Sequence, residues 1–128
     1  MSEPVAFVTR LAVREGMLEA LKPAWHEASA ALDAGKPETL AFLSYLDAAG
    51  TQLAILHVFA DAAAMDRHFE GSADRSRAAF EYVSPVGWEV YGRPSPSALE
   101  TLREGAAAAG VALTVYPEFL SGFLHGRP

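Results

Sequence analysis

The chain has 128 residues, enough for one domain with a sizeable core and too few for two ordinary ones. With 51% hydrophobic and 20% charged residues, it has the composition of a folded protein and not of a disordered tail. Sixteen acids against ten bases leave a net charge of −6, which argues against a nucleic-acid partner, and the lack of cysteine removes disulfides, thiolate metal sites and cysteine nucleophiles.

In chain order, the opening "MSEPVAF" has neither the basic nor the apolar region of a signal peptide. No apolar run reaches the ~18 residues of a membrane span, so a soluble, cytoplasmic protein with no membrane partner is expected. "VAFVTRLAV", residues 5–13, is rich in β-branched residues and is closed by "REG", which predicts a strand. Its Arg10 shares a strand face with Ala6, Val8 and Ala12. Met17, Leu18, Leu21, Ala24, Trp25, Ala28, Ala31 and Leu32 then recur at helical spacing, with Lys22, His26, Ser29 and Asp33 on the other face. Pro23 lies inside this pattern and is expected to kink the helix or restart it, and "AGKP" ends it.

"TLAFLSYLD" and "TQLAILHVFA", joined by "AAG", predict an antiparallel hairpin. In the second strand Leu53, Ile55, His57 and Phe59 point one way, and Ala54, Leu56 and Val58 the other. Both faces are apolar, so the sheet is expected to be covered on both sides, one of them by a partner subunit. Asp61 is placed to cap a helix from Ala62 that stops at Gly71, and Ser72 to cap a second segment running to about Val83. "GWEVYG" reads as the next strand.

Strand, helix, strand, strand, helix, strand is a split βαβ order, so residues 1–92 are expected to form an α+β, ferredoxin-like domain. Residues 93–128 form an extension that packs on the same domain or on a partner subunit. "RPSPS" reads as its linker, with Ser97 and Glu100 at capping-box spacing ahead of a helix through "ALETLREGAAAA". "VALTVY" is the last strand. The tail "PEFLSGFLHGRP" is too apolar to be left in water.

The first 92 residues resemble the antibiotic-biosynthesis-monooxygenase-like group of the dimeric α+β barrel superfamily. Three stretches carry the resemblance: the strand leading into "REGM" and an amphipathic helix, the hairpin "TLAFLSYLDAAGTQLAILHVF", and "FADAAAMDRHFEGSA", similar to a strand, acid and helix segment with a histidine near the helix end. The resemblance implies a homodimer in which two four-stranded sheets pack face to face. It also implies a pocket between each sheet and its helices, where several members oxygenate aromatic polyketides or quinol-like compounds with molecular oxygen, using neither metal nor flavin. Two departures stand out. Phe59 occupies a position where the group often has tryptophan, and the chain has no asparagine of the kind that haem-degrading members use.

Cofactor-free oxygenation needs a base to form an electron-rich anion, a dry pocket, and donors that stabilise negative charge. His68 is the residue matched by the motif, and as a neutral imidazole it can accept a phenolic proton. In the last turn before Gly71 it can equally serve the helix end by capping carbonyls. His57 lies mid-strand among apolar neighbours and needs a partner, either Tyr45 on the adjacent strand or a ligand. Arg10 can steady an enolate or carboxylate, or form an ion pair at a dimer seam or sheet edge. Trp25, Phe42, Tyr45, Phe59, Phe69, Trp88 and Tyr91 can line an aromatic-binding pocket or make ordinary core.

His26 and His125 are expected in solvent. The spacing of His57 and His68 to Asp61, Asp66 and Glu70 matches no ligand pattern, so no metal or other cofactor is expected. The expected function is a homodimeric monooxygenase acting on a small aromatic, phenolic or quinol-like molecule. The alternative is a small-molecule-binding or assembly protein without catalysis.

Overall fold

The computed structural model describes residues 3–125. The elements are β1 (Val5–Val13), α1 (Leu18–Gly35), β2 (Thr39–Leu46), β3 (Gln52–Phe59), α2 (Ala62–Phe69), α3 (Ser72–Ala79), β4 (Val83–Tyr91), α4 (Pro96–Ala109) and β5 (Ala112–Tyr116). They form one sheet in the order β2-β3-β1-β4-β5, antiparallel at every pairing except β4 with β5. The ferredoxin-like α+β order therefore holds, with β5 added in parallel at one edge.

Local chemistry explains most of these boundaries. The β2–β3 turn is held by Asp47, whose Oδ1 accepts from the amides of Thr51 at 2.8 Å and Gln52 at 3.0 Å. Asp61 caps α2, accepting from the Ala64 amide at 2.9 Å. Gly71, in the left-handed region at φ 80°, separates α2 from α3.

Four expectations need correction. Pro23 does not restart α1, which runs through it to Gly35. The N-cap of α3 is Gly71, not Ser72, and α3 ends at Ala79. β4 begins at Val83, four residues before the expected "GWEVYG". Pro85 within it is tolerated because β5 pairs only with Gly87 to Tyr91, and the β1 register skips a residue there, so no second ladder needs the missing N–H. Finally, Ser95 and not Ser97 caps α4: its hydroxyl accepts from the Ala98 amide at 3.1 Å, with Pro96 in the first helical turn.

The residues of 93–116 belong to the same body as the rest. Ala98 and Leu102 of α4 pack with Val5, Phe7, Phe59, Ala64, Met65 and Val90 in one apolar cluster. Leu11, Leu21, Leu53, Ile55 and Val83 form a second cluster. Among the described residues the buried polar side chains are Thr9, His57 and His68; along β1 Thr9 falls between Phe7 of the first cluster and Leu11 of the second, and along β3 His57 falls between Ile55 of the second and Phe59 of the first. The polar residues thus mark a seam in the core.

The helices cover one face of the sheet. On the other, Leu43, Tyr45, Leu56, Val86 and Tyr116 are exposed. The tail, residues 117–125, reaches across one end of that open face, where Phe119 and Leu124 approach Ala6, Val58 and Tyr91.

Candidate active site

The alternation of β3 sends His57 to the helix-covered face with Leu53, Ile55 and Phe59. Directly across the ladder stands Phe7 of β1, whose ring stacks on the imidazole at 3.8 Å between centroids and 9° between planes. Nδ1–H of His57 donates to the Phe7 carbonyl oxygen at 3.2 Å. That bond replaces the partnership expected with Tyr45, and it fixes the neutral tautomer with Nε2 as the acceptor.

His68 comes from α2, whose buried face is Ala64, Met65 and His68 at helical spacing. The carbonyls at the end of this helix are served by other groups. Lys36 Nζ donates to the carbonyls of Arg67 at 2.7 Å and Glu70 at 2.9 Å, while Arg75 donates to those of His68 and Glu70. The imidazole is therefore released from the capping role and turns inward, with Nδ1 2.8 Å from Thr39 Oγ1 at the start of β2. The two rings meet edge to face with centroids 5.4 Å apart.

Phenylalanine rings surround the pair. Phe42 lies 5.2 Å from His57 and Phe59 5.3 Å from His68, centroid to centroid, and Phe69 approaches both Phe7 and His68. Burial pushes the His57 imidazole down to about 3, helped by the neighbouring His68 and Arg75 and opposed by the Phe7 carbonyl. Burial also pushes His68 down to about 4, and the positive charges of Arg75 and Lys36 act in the same direction. Both rings are neutral at pH 7. No enclosed side-chain nitrogen or oxygen is left without a partner among the described residues. Among the described residues the second nitrogen of each ring makes no hydrogen bond.

The other predicted residues separate into two groups. Phe42, Phe59 and Phe69 stand with the histidines, as described. Trp25 lies on the same face but further along, where its indole N–H donates to Ser44 Oγ at 2.9 Å beside the second apolar cluster. Trp88 packs on the first cluster, close to Gly105 of α4.

Arg10, Tyr45 and Tyr91 point to the open face, so the sheet itself separates them from the imidazoles. Arg10 is held there by Glu89 at 3.1 Å, and Tyr91 donates to the same carboxylate at 2.9 Å. Tyr45 is exposed, as are His26 and His125. Asp61 caps α2, and Asp66 accepts a hydrogen bond from Ser95. Among the described residues no three His, Asp or Glu side chains converge on a common point.

The site contains residues that sequence reading alone did not single out. Phe7 and Thr39 supply the partners of the two imidazoles, and Lys36 and Arg75 set the potential around His68. The Phe7 partnership becomes visible once β1 and β3 are placed in register, because Phe7 is then the cross-strand neighbour of His57.

No protein-family profile matches the sequence, and no curated protein does. Among solved structures, MupZ from Pseudomonas fluorescens superposes with a TM-score of 0.71 over 97% of both chains at 21% identity. SnoaB, a cofactor-independent oxygenase from Streptomyces nogalater, matches with a TM-score of 0.59 over 73% of this chain and 96% of its own, at 14% identity. A candidate antibiotic biosynthesis monooxygenase from Bacteroides thetaiotaomicron gives 0.54 over 63% and 80%, at 17% identity. The fold is that of the antibiotic-biosynthesis-monooxygenase-like proteins. The MupZ match runs through α4, β5 and much of the tail, so this larger form of the fold recurs in a second chain. No described helix is long and apolar enough to cross a membrane.

Proposed function

We propose that the protein is a monooxygenase that needs no metal or flavin, acting on an aromatic, phenolic or quinol-like molecule at the His57–His68 pair. The observation that carries this reading is the pair itself: two neutral imidazoles 5.4 Å apart in a seam walled by Phe7, Phe42 and Phe59. The kinship in fold with an oxygenase described as cofactor-independent supports it.

In this reading an imidazole lone pair accepts the proton of a substrate hydroxyl, and the anion so formed passes electrons to molecular oxygen. For an anthrone, the methylene loses its two hydrogens and gains one oxygen atom while the second leaves as water. The substrate is the only reductant. The low basicity of both rings selects substrates that give up a proton readily, such as phenols conjugated to a carbonyl. The apolar open face is then the surface of a homodimer, which leaves the site between sheet and helices undisturbed.

The test is oxygen uptake by purified protein, free of metal and flavin, with a panel of quinols and anthrones. His68→Gln and His57→Gln are each expected to lower kcat/KM by about 10²-fold while binding persists. Absence of uptake by wild-type protein that binds these compounds overturns the reading. One observation favours a second reading, binding without turnover: imidazoles pushed down to about 3 and about 4 are weak bases. Binding without oxygen uptake in the wild-type protein, unaltered by either glutamine substitution, would support it.

A further inference from the structure

The hydroxyl of Thr39 reaches His68 only because β2 breaks its own alternation. Along β2 Phe42 packs against His57 and Ser44 accepts from the Trp25 indole, so these residues face the helices, whereas Leu43 and Tyr45 are exposed on the open face. By that alternation Thr39 belongs on the open face. The pairing with β3 slips at this point: Thr39 stands opposite Phe59 and Ala41 opposite Val58, which leaves Leu40 as an extra residue. A bulge of this kind re-aims the side chain beside it, and here it turns Thr39 to the face of Phe59 and His68.

The groups around the hydroxyl decide what it can do there. The carbonyls at the end of α2 are already taken, that of Arg67 by Lys36, that of His68 by Arg75 and that of Glu70 by both. Among the described residues the hydrogen-bond partner of the Thr39 hydroxyl is Nδ1 of His68, at 2.8 Å. A neutral imidazole that accepts at Nδ1 carries its hydrogen on Nε2. The reverse arrangement, with Nδ1–H donating to Thr39, leaves the hydroxyl hydrogen without an acceptor among these groups. His57 is the opposite case, because a carbonyl can only accept: its Nδ1–H is spent on Phe7, and its Nε2 is a lone pair.

We infer that Thr39 is a positioning residue: its hydroxyl donates to His68 Nδ1 and holds that ring as the Nε2–H tautomer, a hydrogen-bond donor, beside His57, an acceptor. The two neutral imidazoles, 5.4 Å apart between centroids, are thereby given opposite roles. Enolisation of a carbonyl compound uses one of each, a base for the proton and a donor for the oxygen that becomes negative. For an anthrone, a methylene C–H bond breaks and its proton passes to His57 Nε2. The electron pair moves to the carbonyl oxygen, to which His68 Nε2–H donates. These roles rest on the reaction proposed above; the tautomers do not.

The experiment uses the full-length protein with isotope-labelled histidine, and long-range proton–nitrogen NMR at pH 7 reads both tautomers. His57 is expected as Nδ1–H and His68 as Nε2–H. Thr39→Val, which removes the hydroxyl and keeps the branched shape, should shift the His68 tautomer ratio about fivefold towards Nδ1–H, the weight of one neutral hydrogen bond. Thr39→Ser should restore the wild-type ratio, and neither variant should change the His57 tautomer. In oxygen uptake with anthrone, Thr39→Val should lower kcat in step with the Nε2–H fraction, with KM little changed, and Thr39→Ser should recover it.

His68 found as Nδ1–H in the wild-type protein overturns the inference, and that measurement needs no variant to fold. So does a tautomer ratio that Thr39→Val leaves unchanged. A shifted ratio with unchanged kcat overturns the division of roles. The expected tautomers in protein that consumes no oxygen leave the placement of Thr39 and His68 standing and remove the oxygenase reading, so the two failures are distinguishable.

Discussion

On the helix-covered face of the sheet two imidazoles are desolvated and neutral, whereas on the open face Arg10 and Glu89 keep their charges. Burial drives both histidines well below their ordinary value, while the hydrogen-bonded contact between Arg10 and Glu89 moves the arginine up and the glutamate down. Strand alternation decides which polar group meets which environment, and therefore what each can do. A polar group in the seam is held in one protonation state and in fixed contacts. One on the open face stays solvated unless another surface covers it.

The largest effect should come from cutting into the covered face. Phe59 is fully buried beside His68, and Phe59→Ala is expected to cost about 3–5 kcal/mol, read as a lower urea midpoint at unchanged slope. A loss below about 1 kcal/mol would mean that the seam packs loosely.

Acid sharpens the comparison. Each seam histidine has a folded pKa below its unfolded value near 6.5, so below that pH the unfolded chain binds more protons. Their contribution to stability is complete above pH 6.5. It is lost as the pH falls towards about 4 for His68 and about 3 for His57, at up to ~1.4 kcal/mol per pH unit for each. Between pH 6.5 and 5, above the titration of the carboxylates, the double variant His57→Gln, His68→Gln should show a flatter profile than wild type. An equal slope in both proteins would remove the histidines as the cause.

The open face supplies the smaller effects. Leu56→Glu places a charge at the centre of that face and should halve the mass in sedimentation while leaving the circular dichroism unchanged, if the face pairs as proposed. A wild-type chain that sediments as a monomer rejects the pairing. Arg10→Ala should cost no more than about 1 kcal/mol and less in high salt, because Arg10 is half exposed and its ion pair is screened.

Much of this difference could be read from the sequence, because period-two alternation separates Leu53, Ile55, His57 and Phe59 from Ala54, Leu56 and Val58 without any structure. It also put Arg10 on the face of Ala6 and Val8, where the structure has it. Asp61 was recognisable as a cap because its partner amide is three residues away. The parts that escaped depend on contacts distant in sequence. Thr39, Phe7 and Arg75 reach the histidines only after strands and helices have assembled. Tyr45 shares a strand with Phe42, but it sits at an odd spacing from it and so faces away. Boundaries failed where two local signals competed, as with Ser95 and Ser97 around Pro96, or where pairing geometry admitted Pro85 to a strand.

The central claim is that His57 and His68 form a desolvated, neutral pair inside the core. A pH titration of the imidazole resonances by NMR tests it directly. Both rings are expected to remain neutral down to pH 5, with His57 held as the Nδ1–H tautomer, and to take up protons only near about 3 and about 4. Protonation of either ring near pH 6.5, with the fold intact, would contradict the account.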